Sequence, residues 1–452
     1  MSNGPIFDLV AKGKIDEELI DISDKTSIFN FNNDKLNKYA KGDTIFYADG
    51  NANWGNTIRF KIERKGDLLY GLYLVVTLPK LSVSLLNTPT VQNENDINCP
   101  YRVHYTDFIG NAMIEKISLY FNGMLIDEQH GDYMQFYTDL YVSDWNRKMM
   151  LGTDDIMNKP NLKIDSENIY IPFKFWFCND VKKPLPLIAM QYTDIYIDVK
   201  FRNFNNCVSV LESINGNTNQ LYHSNVTHKE VSLINVSLQA NFYYLDLVER
   251  EKLATMEYKI LMTQSQLRKT NMVSYASLNI DFNNTVKDMM FIIHSCQNKI
   301  NGEYFNLSAK LRFPPNSLEN SLTYELWNLA PRKHLLTRAR LLFDGIERIE
   351  WRDSKYYYNM QNHENYKNTV QSYVYVYSFT SAPTKDTNFN GCNFSRIENP
   401  YFQIEVMPET FVINSTGVTY VDPNPNYELK VYATSFNFLV IQNGVAALEY
   451  QY

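Results

Sequence analysis

The sequence predicts an all-β protein built from two copies of one β-sandwich in tandem, and three observations carry this prediction. Alternation of apolar and polar residues with period two dominates the chain, helical periodicity is rare, and two tight-hairpin signals lie about half the chain apart. The 452 residues are 44% apolar and 14% aromatic, with 33 Tyr and 26 Phe. Because aromatic side chains favour strands and fill large cores, this composition agrees with a sheet-rich fold.

Three strands are predicted in the first half before the strand that closes it. An apolar strand is predicted at 68–78, a second strand at 117–121 and an aromatic-rich strand at 170–177. The strand that closes this half, at 193–201, alternates most regularly. Its apolar residues fall on one face and its charged residues on the other: Ile195, Ile197, Val199 and Phe201 against Asp194, Asp198 and Lys200. This pattern is typical of a half-buried strand that covers a sandwich core.

The second half repeats the order of these features with little residue identity. Its apolar, aromatic-rich and closing strands are predicted at 289–293, 373–379 and 430–441. Each half also carries a hairpin, turning at Asn122-Gly123 and at Asp344-Gly345, and both dipeptides tolerate the two successive positive φ angles that a tight hairpin needs. The two glycines lie 222 residues apart, which indicates a duplicated fold.

Few helices are predicted. One begins at Leu247, where Asp246 can cap the free amides and Glu249 stands at capping-box spacing. A second short helix is predicted at about 133–142.

The domain boundary is predicted where alternation weakens and Asn, Ser and Gly accumulate, as in a connector. We therefore divide the chain into an N-terminal arm at 1–26, a first sandwich at 27–205, a connector at 206–228 and a second sandwich at 229–452.

The charge balance argues against capture of nucleic acid. The net charge is −7, and acidic residues interrupt the most basic stretch, which we interpret as a solvated or subunit-facing strand pair: Arg332, Lys333, Arg338, Arg340, Arg348 and Arg352. The first 26 residues are acidic and lack the apolar region of a secretory signal, and no apolar run is long enough to predict a membrane span.

No motif for a metal, a cofactor or a catalytic nucleophile is found, and the prediction is a protein that is not an enzyme, with no catalytic, cofactor-binding or metal-binding residues. Five widely spaced cysteines are interpreted as buried reduced thiols: Cys99, Cys178, Cys207, Cys296 and Cys392. Only His223 and His228 lie close together among the histidines, and both fall in the predicted connector.

One local cluster combines three carboxylates with a histidine. Asp127, Glu128, His130 and Asp132 could supply acid–base chemistry, but a hairpin arm that runs into a turn explains them more simply. Six Asn residues fit the N-glycosylation pattern, which means little in an Asn-rich chain without a secretory signal.

Several strings, in the correct order from about residue 54 to the C-terminus, resemble the major capsid proteins of nucleocytoplasmic large DNA viruses. The strongest is IPFKFWFC at 171–178, continued by LPLIAMQY at 185–192. Further matches are IERKGDLL at 62–69, the segment 114–134, YLD at 244–246, YVYSF at 375–379, GCNFSR at 391–396 and the ending 433–450. The first 55 residues depart from the family pattern.

The resemblance, which extends to iridovirus, phycodnavirus and mimivirus relatives, implies a double jelly roll: two tandem eight-stranded jelly-roll sandwiches. It also implies pseudo-hexagonal homotrimers that tile the icosahedral capsid shell of the virion, made in the host cytoplasm or viral factory. Expected partners are the chain itself, minor capsid and penton proteins and a nearby inner viral membrane, with no sequence-specific nucleic-acid binding. The alternatives are a double-barrel scaffold or minor capsid protein, or, from another class, a carbohydrate-binding or hydrolytic β-sandwich protein.

Overall fold

A computed structural model provides the structure of the chain. It describes residues 39–81, 83–85, 91–92, 101–141, 168–180, 183–214, 219–222, 226–228, 231–310, 333–366, 373–381, 383–384, 391–407, 413–414, 417–418 and 426–450. The predicted N-terminal arm at 1–26 lies outside these residues.

The first part of the chain folds into fifteen described strands. They are β1 (Tyr39–Tyr47), β2 (Thr57–Ile62), β3 (Leu68–Thr77), β4 (Val83–Leu85), β5 (Val91–Gln92), β6 (Tyr101–Tyr105), β7 (Ile114–Phe121), β8 (Met124–His130), β9 (Asn168–Pro172), β10 (Leu185–Pro186), β11 (Ile195–Phe201), β12 (Val208–Ile214), β13 (Asn219–Tyr222), β14 (Val226–His228) and β15 (Val236–Leu245). Helices α1 (Ile109–Ala112), α2 (Gly131–Tyr141) and α3 (Trp176–Asn179) and two 3₁₀ turns, Leu187–Ala189 and Phe204–Asn206, lie between them.

The second part begins with helix α4 (Leu247–Thr255). Its described strands are β16 (Tyr258–Met272), β17 (Tyr275–Asn279), β18 (Thr285–Ser295), β19 (Leu336–Phe343), β20 (Ile346–Asp353), β21 (Tyr375–Ser378), β22 (Cys392–Asn393), β23 (Pro400–Val406), β24 (Ile413–Asn414), β25 (Gly417–Val418), β26 (Tyr427–Gln442) and β27 (Val445–Leu448). The remaining helical segments are α5 (Cys296–Ile300), the π-helix Tyr356–Met360, α6 (Gln361–Asn365) and the 3₁₀ turn Phe394–Arg396.

Each half forms a sandwich of two antiparallel sheets with the same strand order. In the first half the order is β1-β15-β3, with β9 and β10 both pairing β3, above β2-β11-β7-β8. In the second half it is β16-β26-β18, with β21 and β22 both pairing β18, above β17-β23-β19-β20. With each pair of short strands counted as one broken strand, both halves are eight-stranded jelly rolls, and the predicted all-β double jelly roll is confirmed.

The alternation read from the sequence sets which faces are buried. Ile195, Ile197, Val199 and Phe201 of β11 are all buried, whereas the residues between them are only half-buried. Burial of this apolar face is what holds β11 against the core, because each such side chain contributes about 1.5–3 kcal/mol when fully buried. The strings quoted for the resemblance also pack inside, since Phe175, Trp176 and Tyr375 are buried.

Both predicted hairpins are present and turn where expected. Asn122 and Gly123 have φ angles of 48° and 84°, and Asp344 and Gly345 have 51° and 82°. These two successive left-handed residues match the twist of the flanking strands, β7 with β8 and β19 with β20. A third turn of the same kind, Asn443-Gly444, joins β26 to β27.

The two predicted helices are confirmed at α4 and α2. Asp246 caps α4 by accepting a hydrogen bond from the amide of Leu247 at 2.8 Å. The aromatic-rich segment 170–177 is a strand only as far as Pro172, because the chain then turns into α3.

The structure corrects the position of the domain boundary. Strand β15 pairs with β1 over nine residues and with β3, so it belongs to the first sandwich although the second was predicted to begin at 229. The predicted connector at 206–228 carries β12 and β13, which pair with each other and, through β12, with β6. The actual link between the sandwiches is α4, because β16 follows it directly.

Candidate functional site

The most elaborate polar structure in the described chain is the seam between the two sandwiches. We use this name for the contact of β8 and α2, from the first sandwich, with β16 and the outer face of the sheet β16-β26-β18, from the second. Apolar residues of that outer face join the first sandwich's core, among them Met290, Ile292 and Tyr432. The seam therefore encloses side chains that would otherwise face water.

Asp132, at the start of α2, is the centre of a buried charge cluster within the seam. Its Oδ2 accepts hydrogen bonds from the Lys430 ammonium at 2.6 Å, the Tyr432 hydroxyl at 3.1 Å and the Tyr304 hydroxyl at 3.2 Å. The Arg202 guanidinium lies 3.8 Å from Oδ1. Burial alone would raise the pKa of Asp132, but the neighbouring cations hold it well below its usual range.

Asp127 lies in the same seam without a cation beside it. Its carboxylate accepts hydrogen bonds from the backbone amide of Ser265 in β16 at 3.0 Å and from the Gln129 side chain at 2.9 Å. Two further hydrogen bonds join β8 to β16, from Gln264 to the Ile126 carbonyl and from the Ser265 hydroxyl to the Glu128 carbonyl. Burial raises the pKa of Asp127 to about 7 in spite of these hydrogen bonds.

Two histidines of the seam are kept neutral. Burial lowers the pKa of His130 to about 4, although Glu128 lies 3.8 Å from its Nε2. Burial, and then the charge of Lys430, lowers the pKa of His294 well below its usual range. The cluster predicted as a hairpin arm lies on β8 and at the start of α2. The side chains of Asp127, His130 and Asp132 contact the second sandwich, whereas the Glu128 carboxylate bonds Lys116 and Ser118 within its own sheet.

The C-terminal hairpin adds a second tie between the sandwiches. The Gly444 carbonyl accepts hydrogen bonds from the Tyr192 amide at 2.9 Å and from the Thr193 hydroxyl at 3.2 Å, and the Thr193 hydroxyl oxygen accepts one from the Ala446 amide at 3.0 Å. A side chain at position 444 would place its Cβ 2.7 Å from the Tyr192 ring. Glycine is thus needed here both for its φ of 81° and for close approach.

Two surfaces that correspond to the two sides of the seam are not covered by any of the residues that the structure describes. The first is β20, the counterpart of β8. Most β20 residues are exposed, whereas β8 buries Ile126, Asp127 and Gln129. Among the described strands β20 pairs with β19 alone, which makes it an edge strand of its sheet.

The second uncovered surface is the outer face of β1-β15-β3, the counterpart of the outer face of β16-β26-β18. We call it the open face, and its residues include Tyr39, Lys41, Asp43, Ile45, Tyr47, Tyr70, Tyr73, Gln239, Asn241 and Tyr243. Tyr70 stacks on Tyr243 with ring centroids 4.1 Å apart, and Tyr39 meets Tyr243 edge-on at 5.2 Å. An aromatic sheet face of this kind is typical of an interaction surface.

A groove lies directly beyond the end of β20, beside the π-helix. It is lined by Arg352, Asp353, Lys355, Tyr356, Asn359, Met360 and His363. In the first sandwich the helix at the corresponding place is α2, and nearly all of its residues are buried between its own sandwich and the seam.

The basic stretch is a strand pair, as predicted. Arg338 makes a double hydrogen bond to Glu405 at 2.6 and 2.8 Å, and Arg340 pairs with Glu347 at 2.6 Å. Acidic neighbours thus offset these charges, while Arg332 lies outside the described residues.

The other sequence-predicted positions are dispersed. Cys207 is buried, Cys178, Cys296 and Cys392 are half-buried, all four are free thiols, and Cys99 lies outside the described residues. His223 also lies outside the described residues. Among the described residues, no three His, Cys, Asp or Glu side chains are grouped as metal ligands, and no helix is long and apolar enough to cross a membrane.

Sequence reasoning missed the second-sandwich half of the seam. Lys430, Tyr432 and Ser265 lie far along the chain from their partners, for example 298 positions between Lys430 and Asp132. The one local signal is a lysine inside the apolar run of β26, where Leu429 and Val431 flank it.

Comparison with known proteins covers nearly the whole chain. A family model described as the major capsid protein N-terminus matches residues 27–246, and one described as the large eukaryotic DNA virus major capsid protein matches 249–447. The boundary between the two matches falls at the start of α4, which agrees with the division seen in the sheets.

Individual relatives agree with the family models. The chain is 22% identical to the "Major capsid protein" of Phaeocystis pouchetii virus over 89% of this chain and 91% of the relative. It is also 22% identical to that of Chrysochromulina ericina virus, over 89% and 92%. Its fold is similar to a chain in a quasi-atomic model of the PBCV-1 virus capsid, with a TM-score of 0.72, 19% identity and coverage of 94% of this chain and 100% of that one.

Proposed function

Because the chain belongs to the family of large eukaryotic DNA virus major capsid proteins, we propose that its structural role in the virion capsid shell is carried out as a homotrimer with a pseudo-hexagonal outline. One observation supports this proposal most strongly. The seam that joins the two sandwiches within the chain has a matching pair of uncovered surfaces at the chain's two outer sides.

The register of the strands makes the correspondence specific. Ser265 pairs with Thr434 in the second sandwich, and Asp43 pairs with Asn241 at the same place in the first. Ser265 is covered by β8, but Asp43 is exposed. Strand β20 of one chain can therefore meet β1 of another chain in the way that β8 meets β16.

Such a contact joins two different surfaces, so every chain offers one of each to its neighbours. A contact of this kind generates a ring if the rotation closes and a filament if it does not. Three chains contribute six similar sandwiches, and a ring of six explains the pseudo-hexagonal outline. Repeated contacts between such trimers then supply avidity across a shell.

We propose that this role is structural and not enzymatic. Minor capsid and penton proteins, and an inner viral membrane, are the proposed further partners. A scaffold or a minor capsid protein of the same fold would also form trimers. Quantitative proteomics of purified virions separates the roles, because a shell protein is abundant in particles and a scaffold is present only in traces.

The experiment is a measurement of mass and shape in solution. Light scattering after gel filtration should give three times the chain mass, and negative-stain images should show hexagonal outlines. Ile45 of β1 is 52% exposed, so Ile45→Asp should prevent trimer formation without unfolding the chain. Ile234→Asp is the matched control, because Ile234 is 53% exposed outside the open face.

The proposal is wrong if the wild-type chain is a strict monomer at micromolar concentration, or if both variants remain trimeric. A monomer that binds or cleaves glycans would favour the carbohydrate-directed alternative instead, with the tyrosines of the open face as its platform.

A further inference from the structure

The groove beside the π-helix corresponds to a place in the first sandwich that is already filled, where α2 packs against the second sandwich in the seam. Tyr133, Tyr137 and Tyr141 stand four residues apart along α2 and face the second sandwich. Lys355, Asn359 and His363 have the same spacing, line the groove and are exposed. The offset between the two stripes is 222 residues, which is also the offset between the hairpins that precede them.

The sheet that α2 packs against, β16-β26-β18, also matches the sheet of the open face, β1-β15-β3, residue by residue. Where β18 pairs with β26, Lys287 is the bulged residue between Val286 and Asp288. Where β3 pairs with β15, Tyr70 is the residue bulged at the equivalent place between Leu69 and Gly71. The Lys287 ammonium lies 4.9 Å from the centre of the Tyr141 ring.

We propose that the groove binds the tyrosine cluster of the open face of a second copy of this chain, with Tyr70 of one copy against His363 of the next. This proposal rests on the trimer proposed above and names the groups that make its contact. Within the chain the sheet supplies the cation and the helix supplies the ring. Between chains the roles are exchanged, since the cations Arg352 and Lys355 lie beside the His363 ring on the helix side and the Tyr70 and Tyr73 rings are on the sheet.

The chemistry of the two surfaces is complementary. Cations over tyrosine rings attract through the ring quadrupole, most strongly when water is excluded. The open face already holds such a contact, because the Lys41 ammonium lies 5.9 Å from the Tyr70 ring and 5.7 Å from the Tyr243 ring. The Tyr70 ring stacks on Tyr243 and is only half-buried, so part of its surface is accessible to a partner.

The first test is photo-crosslinking in the full-length chain. A benzophenone amino acid at Met360, which is exposed in the groove, should crosslink in trimers to peptides containing residues 68–77 or 236–245 of another copy. The same probe at Met407, which is exposed and outside the groove lining, is the control and should not crosslink to those peptides of another copy. Trimers without this crosslink overturn the groove assignment and leave the trimer standing, whereas a chain that forms no trimer overturns both.

The second test is a double-mutant cycle on the trimer. Tyr70→Ala and His363→Ala should each raise the concentration at which trimers dissociate by about tenfold. In the double variant this concentration should rise by much less than the product of the two single increases, because the two side chains contact each other. Independent, multiplicative effects would contradict the pairing, and Glu364→Ala, at an exposed neighbour outside the groove lining, should change nothing.

Discussion

Asp132 and Lys430 form a 2.6 Å ion pair between the two sandwiches, and both side chains are almost completely buried. An ion pair in this setting matters less for its attraction than for the cost of breaking it. Removing one partner of a buried pair leaves an uncompensated charge in a medium that cannot solvate it.

Asp132→Asn should therefore destabilise the chain by about 3–5 kcal/mol. Lys430 and Arg202 would remain buried without their counter-charge, and chemical denaturation followed by tryptophan fluorescence measures the loss. Asp198→Asn is the control, because Asp198 makes an equally short double hydrogen bond to Arg59 at the surface. The control should cost less than about 1 kcal/mol, and equal losses would contradict the role given to the seam.

The pH dependence of stability should change when Asp127 is replaced by Asn. Because burial raises the pKa of Asp127 to about 7 in the folded chain, its protonation stabilises the fold fully below about pH 4, and that contribution is lost as the pH rises through 7. Relative to wild type, Asp127→Asn should gain up to about 1.4 kcal/mol for each pH unit between 5 and 7. Unfolding free energies at these two pH values test this, and a constant difference between the proteins would refute it.

His130 should act in the opposite direction. Its pKa falls to about 4 on folding, so the stability it contributes is complete above about pH 6.5 and is lost as the pH falls towards 4. His130→Gln should weaken this acid sensitivity. The measurement is the slope of unfolding free energy between pH 6.5 and 5, and a variant with the wild-type slope would show that His130 does not contribute.

Gly444→Ala should lower the free energy of unfolding more than Gly345→Ala does, although both glycines have φ angles near 82°. The positive φ costs about 1–2 kcal/mol at either position. At Gly345 a Cβ meets nothing within 4 Å, whereas at Gly444 it would lie 2.7 Å from the Tyr192 ring. Because the Tyr192 side chain is exposed and can move aside, we expect a further loss of up to about 1 kcal/mol. Thermal unfolding of the two variants under conditions that keep the chain monomeric measures the difference, and equal melting temperatures would mean that the C-terminal hairpin does not hold the first sandwich.

Local signals in the sequence were sufficient to predict the turns, the strands and the capped helix. Asn122-Gly123 and Asp344-Gly345 fix their hairpins because few other dipeptides accept two positive φ angles, and Asp246 marks the start of α4 because its carboxylate meets a free amide. These features depend on a few neighbouring residues, so they can be read from the sequence.

The domain boundary and the seam depend on partners that are distant in sequence. Strand β15 alternates like any other strand, and nothing within it says that it inserts between β1 and β3. Likewise, Lys430 points to the outer face of its sheet, which in an isolated sandwich would be solvent. The packing of α2 and Tyr304 against that face makes it a buried charge.

Joining the two sandwiches through α4 has a kinetic consequence. In the ring of six sandwiches proposed above, every second seam is already closed before any two molecules collide. Three molecules then complete the ring in two productive encounters, whereas six separate sandwiches would need five. The rate of ring formation therefore depends on a lower power of the protein concentration, and each two-chain intermediate still presents one free surface of each kind to the third chain.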